Sequence, residues 1–236
     1  MNHLAKKKFG LPKYIQISEL LIRDIGAGRL MDGERLLPER ILAKSLNTTV
    51  TTLRKSLKEL VKKGMLEQIQ GSGNYIRHGG SDDSVYAMFR LELLSGGGLP
   101  SAQFIEIKKM DKPKNLPKFG TSHQGTRMRR MRYLNKTIIA IEEIWLDYDS
   151  GSVSQSDVSD SLYHYYQKSL GFWITRAEDR VSIAKLPTWT PNNFTLAAGT
   201  VTGFIERFSW SEDSIPIEYS QTWFDPSNAN YMQRLR

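Results

Sequence analysis

A chain of 236 residues, 39% hydrophobic and without cysteine, has room for one large domain or two modest ones and excludes both a disulfide framework and a thiolate zinc site. No run approaches the ~20 apolar residues of a membrane-spanning helix, and the polar, lysine-rich residues 1–8 lack the apolar core of a signal peptide, so a soluble cytoplasmic protein is expected. The formal charge of +8 is uneven: residues 1–78 hold 15 Lys and Arg against 7 Asp and Glu, while residues 79–236 hold 18 of each, which suits a nucleic-acid-binding head or a solvated basic face beside a neutral body.

Tyr14, Ile17, Leu21 and Ile25 recur at spacings of three and four between Pro12 and Gly26, which predicts an amphipathic first helix. Pro38 opens a second, short helix with Leu42 and Leu46. Asn47-Thr48-Thr49 supplies a turn and an N-cap for a third, whose Leu53, Leu57, Leu60 and Val61 form an apolar stripe ending near Gly64. Two helices joined by so short a turn have the spacing of a helix-turn-helix. Residues 65–70 and 74–77, around Gly71-Ser72-Gly73, predict a β-hairpin, the wing.

The run Gly79-Gly80-Ser81-Asp82-Asp83-Ser84 marks a linker where the charge balance changes. Beyond it, strands are expected at 103–109, 126–134, 137–146, 172–186, 200–210 and 215–224. One helix is expected over Val158, Leu162, Tyr165, Tyr166 and Leu170, and another at 192–198, stopped by Gly199. The five tryptophans are expected in the core. An antiparallel sheet with helices on one side makes an α+β body, so the whole chain is read as α+β: a winged helix-turn-helix at 8–78, a linker at 79–84 and a larger domain at 85–236.

A helix-turn-helix places the start of its second helix in the major groove. Thr49, Thr51, Thr52 and Arg54 occupy that start, with Val50 among them, and Arg40 on the preceding helix can clamp phosphate. Read singly, the threonines are equally caps and the arginines solvated surface. The run from Pro12 to Ile17, Ile25-x-x-Gly28-x-Leu30-x-x-Gly33-Glu34-Arg35-Leu36-Leu37-Pro38-Glu39-Arg40, Leu42-Ala43, Thr52-Leu53-Arg54, Leu57, Leu60, Gly64 and Gly71-x-Gly73 together resemble the opening of the GntR family. The resemblance implies a dimeric winged-helix repressor or activator whose second domain senses a metabolite, and it carries DNA contact onto Arg40, Thr49, Thr52, Arg54 and Gly73. Val50 and Ser72 stand where the family usually has basic residues.

The body resembles the UTRA domain of the HutC branch, a fold similar to chorismate lyase. The matching pieces are Arg130-Met131-Arg132-Tyr133, Ile139-Ala140-Ile141-Glu142-Glu143, Ser161-Leu162-Tyr163, Leu170-Gly171-x-x-Ile174-Thr175-Arg176-Ala177, Ile205-Glu206-Arg207 and Ile215-Pro216-Ile217-Glu218-Tyr219-Ser220. Phe224-Asp225-Pro226 departs from the family's usual Tyr-Arg-Gly-Asp. By that resemblance Arg130 and Arg132 hold an anionic group, Ser161 and Tyr163 donate hydroxyls, and Glu142 and Glu218 take polar or cationic parts of the effector. Residues two apart on a strand share a face, so the two arginines can converge on one phosphate or carboxylate; the alternative is a solvated face paired with Asp or Glu.

Enzymatic signatures are weak. Adjacent Glu142 and Glu143 point to opposite faces of a strand, the four histidines lack metal-ligand spacing, and Gly96-Gly97-Gly98 opens no phosphate loop. No catalytic residue, metal or cofactor is expected. The expected function is a repressor-type DNA-binding regulator, homodimeric, binding operator DNA under control of a small anionic metabolite. The alternative is a small-molecule enzyme or binding protein of chorismate-lyase-like fold with an accessory basic domain.

Overall fold

A computed structural model describes residues 11–77, 86, 88–154, 158 and 161–234, which form two compact units. One gathers the described residues of Leu11–Arg90 with those of Ser95–Leu99 and Tyr231–Arg236; the other comprises those of Leu91–Leu94 and Pro100–Asn230. The expected linker, 79–84, lies outside the described residues.

The first unit is built on helices α1 (Lys13–Gly26), α2 (Glu39–Ser45) and α3 (Val50–Lys62), followed by antiparallel strands β1 (Leu66–Ile69) and β2 (Gly73–Ile76). Pro12 and Pro38 stand at the N-caps of α1 and α2, where their fixed φ and missing N–H cost nothing. Thr49 caps α3 by accepting the Thr52 amide at 3.2 Å, and Asn47 turns the chain between α2 and α3 at φ +48°. Ile17, Leu21 and Ile25 of α1 meet Leu53, Leu57 and Leu60 of α3 in one core with Leu36, Met65 and Ile76. Val61, expected in that stripe, is 39% exposed; fully buried Ser56 takes the place on the inner face, because its hydroxyl is satisfied by the Thr52 carbonyl at 3.1 Å.

The wing has a third member. The amide of Gly33 donates to the Ile76 carbonyl, that of Ile76 to Glu34, and that of Leu36 to Asn74, each at 2.9 Å, and Arg35 bridges Tyr75.

In the second unit, strands β4 (Pro100–Asp111), β5 (Gln124–Leu134), β6 (Thr137–Asp147), β7 (Arg176–Lys185), β8 (Val201–Trp210) and β9 (Glu218–Phe224) form an antiparallel sheet in the order β4-β5-β6-β9-β8-β7. Short β3 (Leu91–Leu93) pairs with β10 (Ala229–Tyr231). The expected helix over 158–170 is a single turn, α4 (Leu162–Tyr165), capped by Ser161 and continued by a π-helical turn, Tyr166–Leu170, which ends at left-handed Gly171.

Three further expected elements differ, among them the strand at 215–224, which starts only at Glu218. Residues 192–198 are turns and not a helix. They lie in the β7–β8 connection, whose ends are tied by Leu186 donating to Thr200 and Gly199 donating to Leu186. The loop is anchored by Phe194 and Trp189 against Trp223 and Phe204 rather than by a helical stripe. The strand expected at 172–186 starts only at Arg176. Of the tryptophans, Trp145, Trp210 and Trp223 are buried, whereas Trp173 and Trp189 are half-exposed.

Antiparallel partners share a face, so the register sorts the sheet's side chains. Met131, Ile141, Trp223 and Phe204 line one side as apolar core. Arg130, Glu142, Thr222 and Ile205 face the other, beside rows containing Arg132, Ser220, Arg207, Glu218 and Ser209.

Gly203 lies on the second side, in the row of Arg132, Ala140 and Phe224, and leaves room for an aromatic ring there: a Cβ would sit 2.3 Å from the Phe224 ring. Gly203→Ala is therefore expected to lower stability by about 1–3 kcal/mol, the usual cost of overpacking a core, read from the denaturant midpoint.

Candidate nucleic-acid interface and buried polar site

The first unit presents the expected DNA residues on and around α2, α3 and the wing. Thr49 and Thr52 are partly used by the cap, their hydroxyls 3.0 Å apart, while Thr51 and Arg40 are exposed. Arg54 is exposed too, but its Nε donates to Glu39 Oε2 at 2.7 Å, joining the two helices of the turn motif. At the wing tip the Ser72 hydroxyl lies 2.6 Å from that of Tyr75. Gly73 adopts φ +138°, and the Arg35 side chain lies against it, its Nε 2.9 Å from where a Cβ would stand. Arg35 carries no signal in spacing or periodicity; its closeness to Gly73 follows from the three-stranded wing.

The polar side of the sheet in the second unit brings together five of the six expected effector residues. Arg130 and Arg132 are only 7% and 3% exposed. Arg130 Nε donates to Glu142 Oε2 at 2.5 Å, Arg132 Nη1 lies 3.9 Å from the same oxygen, and Thr222 donates to Oε1 at 3.3 Å. Nη1 of Arg130 is buried with no hydrogen-bond partner. Along the sheet, Glu218 Oε1 accepts from Ser209 at 2.9 Å and from Tyr163 at 3.3 Å, and Oε2 accepts from Tyr166 at 2.6 Å. Ser161, the sixth, is buried and accepts the His164 amide at 3.3 Å as the α4 cap. Glu143 points the other way, to Arg129 at 2.7 Å and the Trp145 indole at 3.0 Å.

Five participants escaped the sequence reading, the first being Thr222 beside Glu142. Tyr166 and Ser209 hold Glu218, and Arg207 grips Asp179 through two hydrogen bonds of 2.5 and 2.7 Å. Arg207 belongs to a recognisable motif, but Asp179 lies 28 residues away and only the β7–β8 register joins them.

Burial and charge act oppositely on the two glutamates. Burial favours the neutral form of Glu142, but the Arg130 and Arg132 guanidiniums outweigh it and hold the carboxyl below its usual range. At Glu218 burial prevails over the hydrogen bonds from Tyr166 and Ser209, and the pKa is raised. Burial also lifts the Tyr163 and Tyr166 phenols, with Glu218 adding to the effect, so both are hydrogen-bond donors at neutral pH. A set of arginines, carboxylates and phenols on one sheet face can bind a small polar molecule in several directions at once. Among the described residues no group of three acidic or histidine side chains could hold a metal ion, and no helix is long and apolar enough to cross a membrane.

Comparison with known proteins agrees with this division. Residues 13–76 match the bacterial regulatory proteins of the gntR family, and residues 95–229 match the UTRA domain. The chain is 48% identical over 227 residues to the HTH-type transcriptional regulator SmoD of Agrobacterium fabrum, covering 96% of this chain and 97% of that one. It is 24% identical over 239 residues to the mannosyl-D-glycerate transport/metabolism system repressor MngR of Escherichia coli, covering 93% of this chain and 94% of that one. Among solved structures, the possible transcriptional regulator YydK of Bacillus subtilis shares the fold with a TM-score of 0.53 at 22% identity, covering 96% of this chain and 100% of that one. The chain belongs to the GntR family of bacterial transcription regulators, of the UTRA-bearing HutC type, and is a DNA-binding, effector-responsive regulator and not an enzyme.

Proposed function

We propose that the protein is a homodimeric cytoplasmic repressor, released from or recruited to its operator by a small anionic metabolite held between Arg130 and Arg132. The observation that carries the anion is Nη1 of Arg130, buried and without a hydrogen-bond partner in a side chain whose Nε Glu142 already occupies. A buried donor left unsatisfied costs about 1–3 kcal/mol, and a phosphate or carboxylate oxygen would satisfy it. In this reading Glu142 and Glu218 take polar or cationic parts of the effector, with hydroxyls from Ser161 and Tyr163. Repression is supported by MngR, which represses a system named for a carboxylate-bearing sugar. It is supported also by the arabinose metabolism transcriptional repressor of Geobacillus stearothermophilus, 34% identical over 70 residues.

A second copy is supported by β7, an edge strand with exposed Val181 and 75% exposed Ile183, an open edge of the kind that proteins usually cover. We take the head as 8–78, the linker as 79–84 and the effector domain as 85–236. In the head, Thr49, Thr51, Thr52 and Arg54 meet the major groove, Arg40 a phosphate, and Ser72 and Gly73 the backbone beside the wing.

Three outcomes test this reading. In gel-shift titrations Arg54→Ala should weaken specific binding by roughly 1–3 kcal/mol and relax base discrimination, while Arg40→Ala should weaken all sequences alike and lower the salt slope by about one; unchanged binding by both would sink the assignment. In thermal-shift screens of phosphorylated and carboxylated metabolites, a binder at 100 times its Kd should stabilise the wild type by about 2.7 kcal/mol. Arg132→Ala, which keeps the Arg130–Glu142 bridge, should lose that response, and a retained response places the anion elsewhere.

The third outcome is a pH profile. Because the folded pKa of Glu218 is raised, its stabilising contribution is complete below the ordinary carboxylate pKa and is lost as pH rises through the raised value. Glu218→Gln should remove that loss, flattening the stability curve over this interval in urea titrations; a parallel curve would refute the burial effect.

A further inference from the structure

From residue 66 to residue 76 the only charged side chain of the wing is Glu67, and Arg77 is bound to it. A hairpin meant to lie against DNA therefore offers the polyanion no cation of its own. One arrives from another segment. Arg35 bridges Tyr75 of β2, and its side chain runs across Gly73, with Nε and Nη2 at 2.9 and 3.5 Å from the place a Cβ would occupy. Any side chain at position 73 would push it away, so the bare backbone of the tip serves as the bed for a guanidinium.

The charge at Arg35 is also uncommitted. Arg29, Arg54 and Arg77 of the same unit each pair with a carboxylate, Asp24, Glu39 and Glu67. Arg35 is exposed, and among the described residues no carboxylate forms an ion pair with it. It borders a cleft of about 460 Å³ between the segment ahead of α2 and the wing tip, and the one acidic residue lining that cleft, Glu39, is held by Arg54 at 2.7 Å. An accessible, unpaired planar cation beside a cleft with neutral amide and hydroxyl neighbours suits a phosphodiester oxygen.

We infer that Arg35 is the wing's DNA-phosphate ligand, positioned by Gly73 and acting in place of a cation on the hairpin itself. The contact is sequence-independent, so a random-sequence duplex is a sufficient probe. With the full chain, Arg35→Gln should lower the slope of log Kd against log salt by about 0.9 for each chain bound, weakening binding about tenfold at 50 mM salt but only a few-fold at 200 mM. Arg35→Lys should keep the slope, and adding Ser72→Arg to Arg35→Gln should restore it by placing a cation on the tip directly.

An Arg35→Gln protein with the wild-type unfolding midpoint and an unchanged slope overturns the inference. So does weaker binding at constant slope, which would mark a packing or base-reading role. Failure of both Arg35→Lys and the Ser72→Arg addition to hold the slope would likewise assign the loss to packing against Gly73.

Discussion

A guanidinium taken out of water must find its counter-charge inside the protein, because an unpaired buried ion costs several kcal/mol. The second unit is arranged around that requirement. Arg130 and Arg132 share Glu142, and Arg207 is clasped by Asp179. The partners lie on neighbouring strands of one sheet, so the pairing depends on register. A one-residue slip of β6 against β5 would turn Glu142 to the apolar side and leave the arginines alone. The buried ions thus add little net stability and instead penalise alternative registers. The apolar opposite side, with Trp223, Phe204 and Ile141, supplies the hydrophobic driving force for the same alignment.

The same arrangement makes the domain a receptor. Its charges are already paired, so a ligand exchanges one set of partners for another rather than entering a bare cationic hole. In the proposed effector site, affinity for any loose anion would be modest, and discrimination would come from satisfying several directional groups together: Nη1 of Arg130, the phenols around Glu218, and Glu218 itself. Burial raises the pKa of Glu218, so its neutral form, which does not repel negative charge, persists to higher pH than that of an exposed carboxyl.

Much of this architecture was legible in the residue order. The three- and four-residue spacing of Tyr14, Ile17, Leu21 and Ile25, the Thr49 cap and the Gly71-Ser72-Gly73 turn define the head, and the strands expected at 126–134 and 137–146 define the central hairpin. Local patterns say where elements begin but not what lies across from them. Residues 33–36 join the wing through backbone hydrogen bonds, which no side-chain periodicity announces. Residues 192–198 carry apolar side chains at helix-like intervals, yet their ends are pinned together between two strands, and Phe194 is buried without a helix. Tyr166 looked like one member of a helical stripe; its hydroxyl, 52 residues from Glu218 in the chain, is what orients the carboxylate. Pairing at such separations belongs to the register and becomes visible only with the sheet assembled.

The bridge between Arg54 and Glu39 bears on how the regulator searches a genome. A side chain that could grip any phosphate is stowed against its own neighbour, 65% exposed and yet occupied. An exposed pair of this kind is worth about 0–1 kcal/mol, enough to make a random phosphate a poor trade and too little to resist a guanine edge offering two acceptors at once. If Arg54 reads the groove as proposed, wrong sequences are held less firmly, residence on each is shorter, and sliding is faster. On the proposed role of Arg54 in the major groove, Glu39 would be the partner that the right base displaces, and part of the regulator's selectivity would be exercised in time, by how briefly it lingers where it should not.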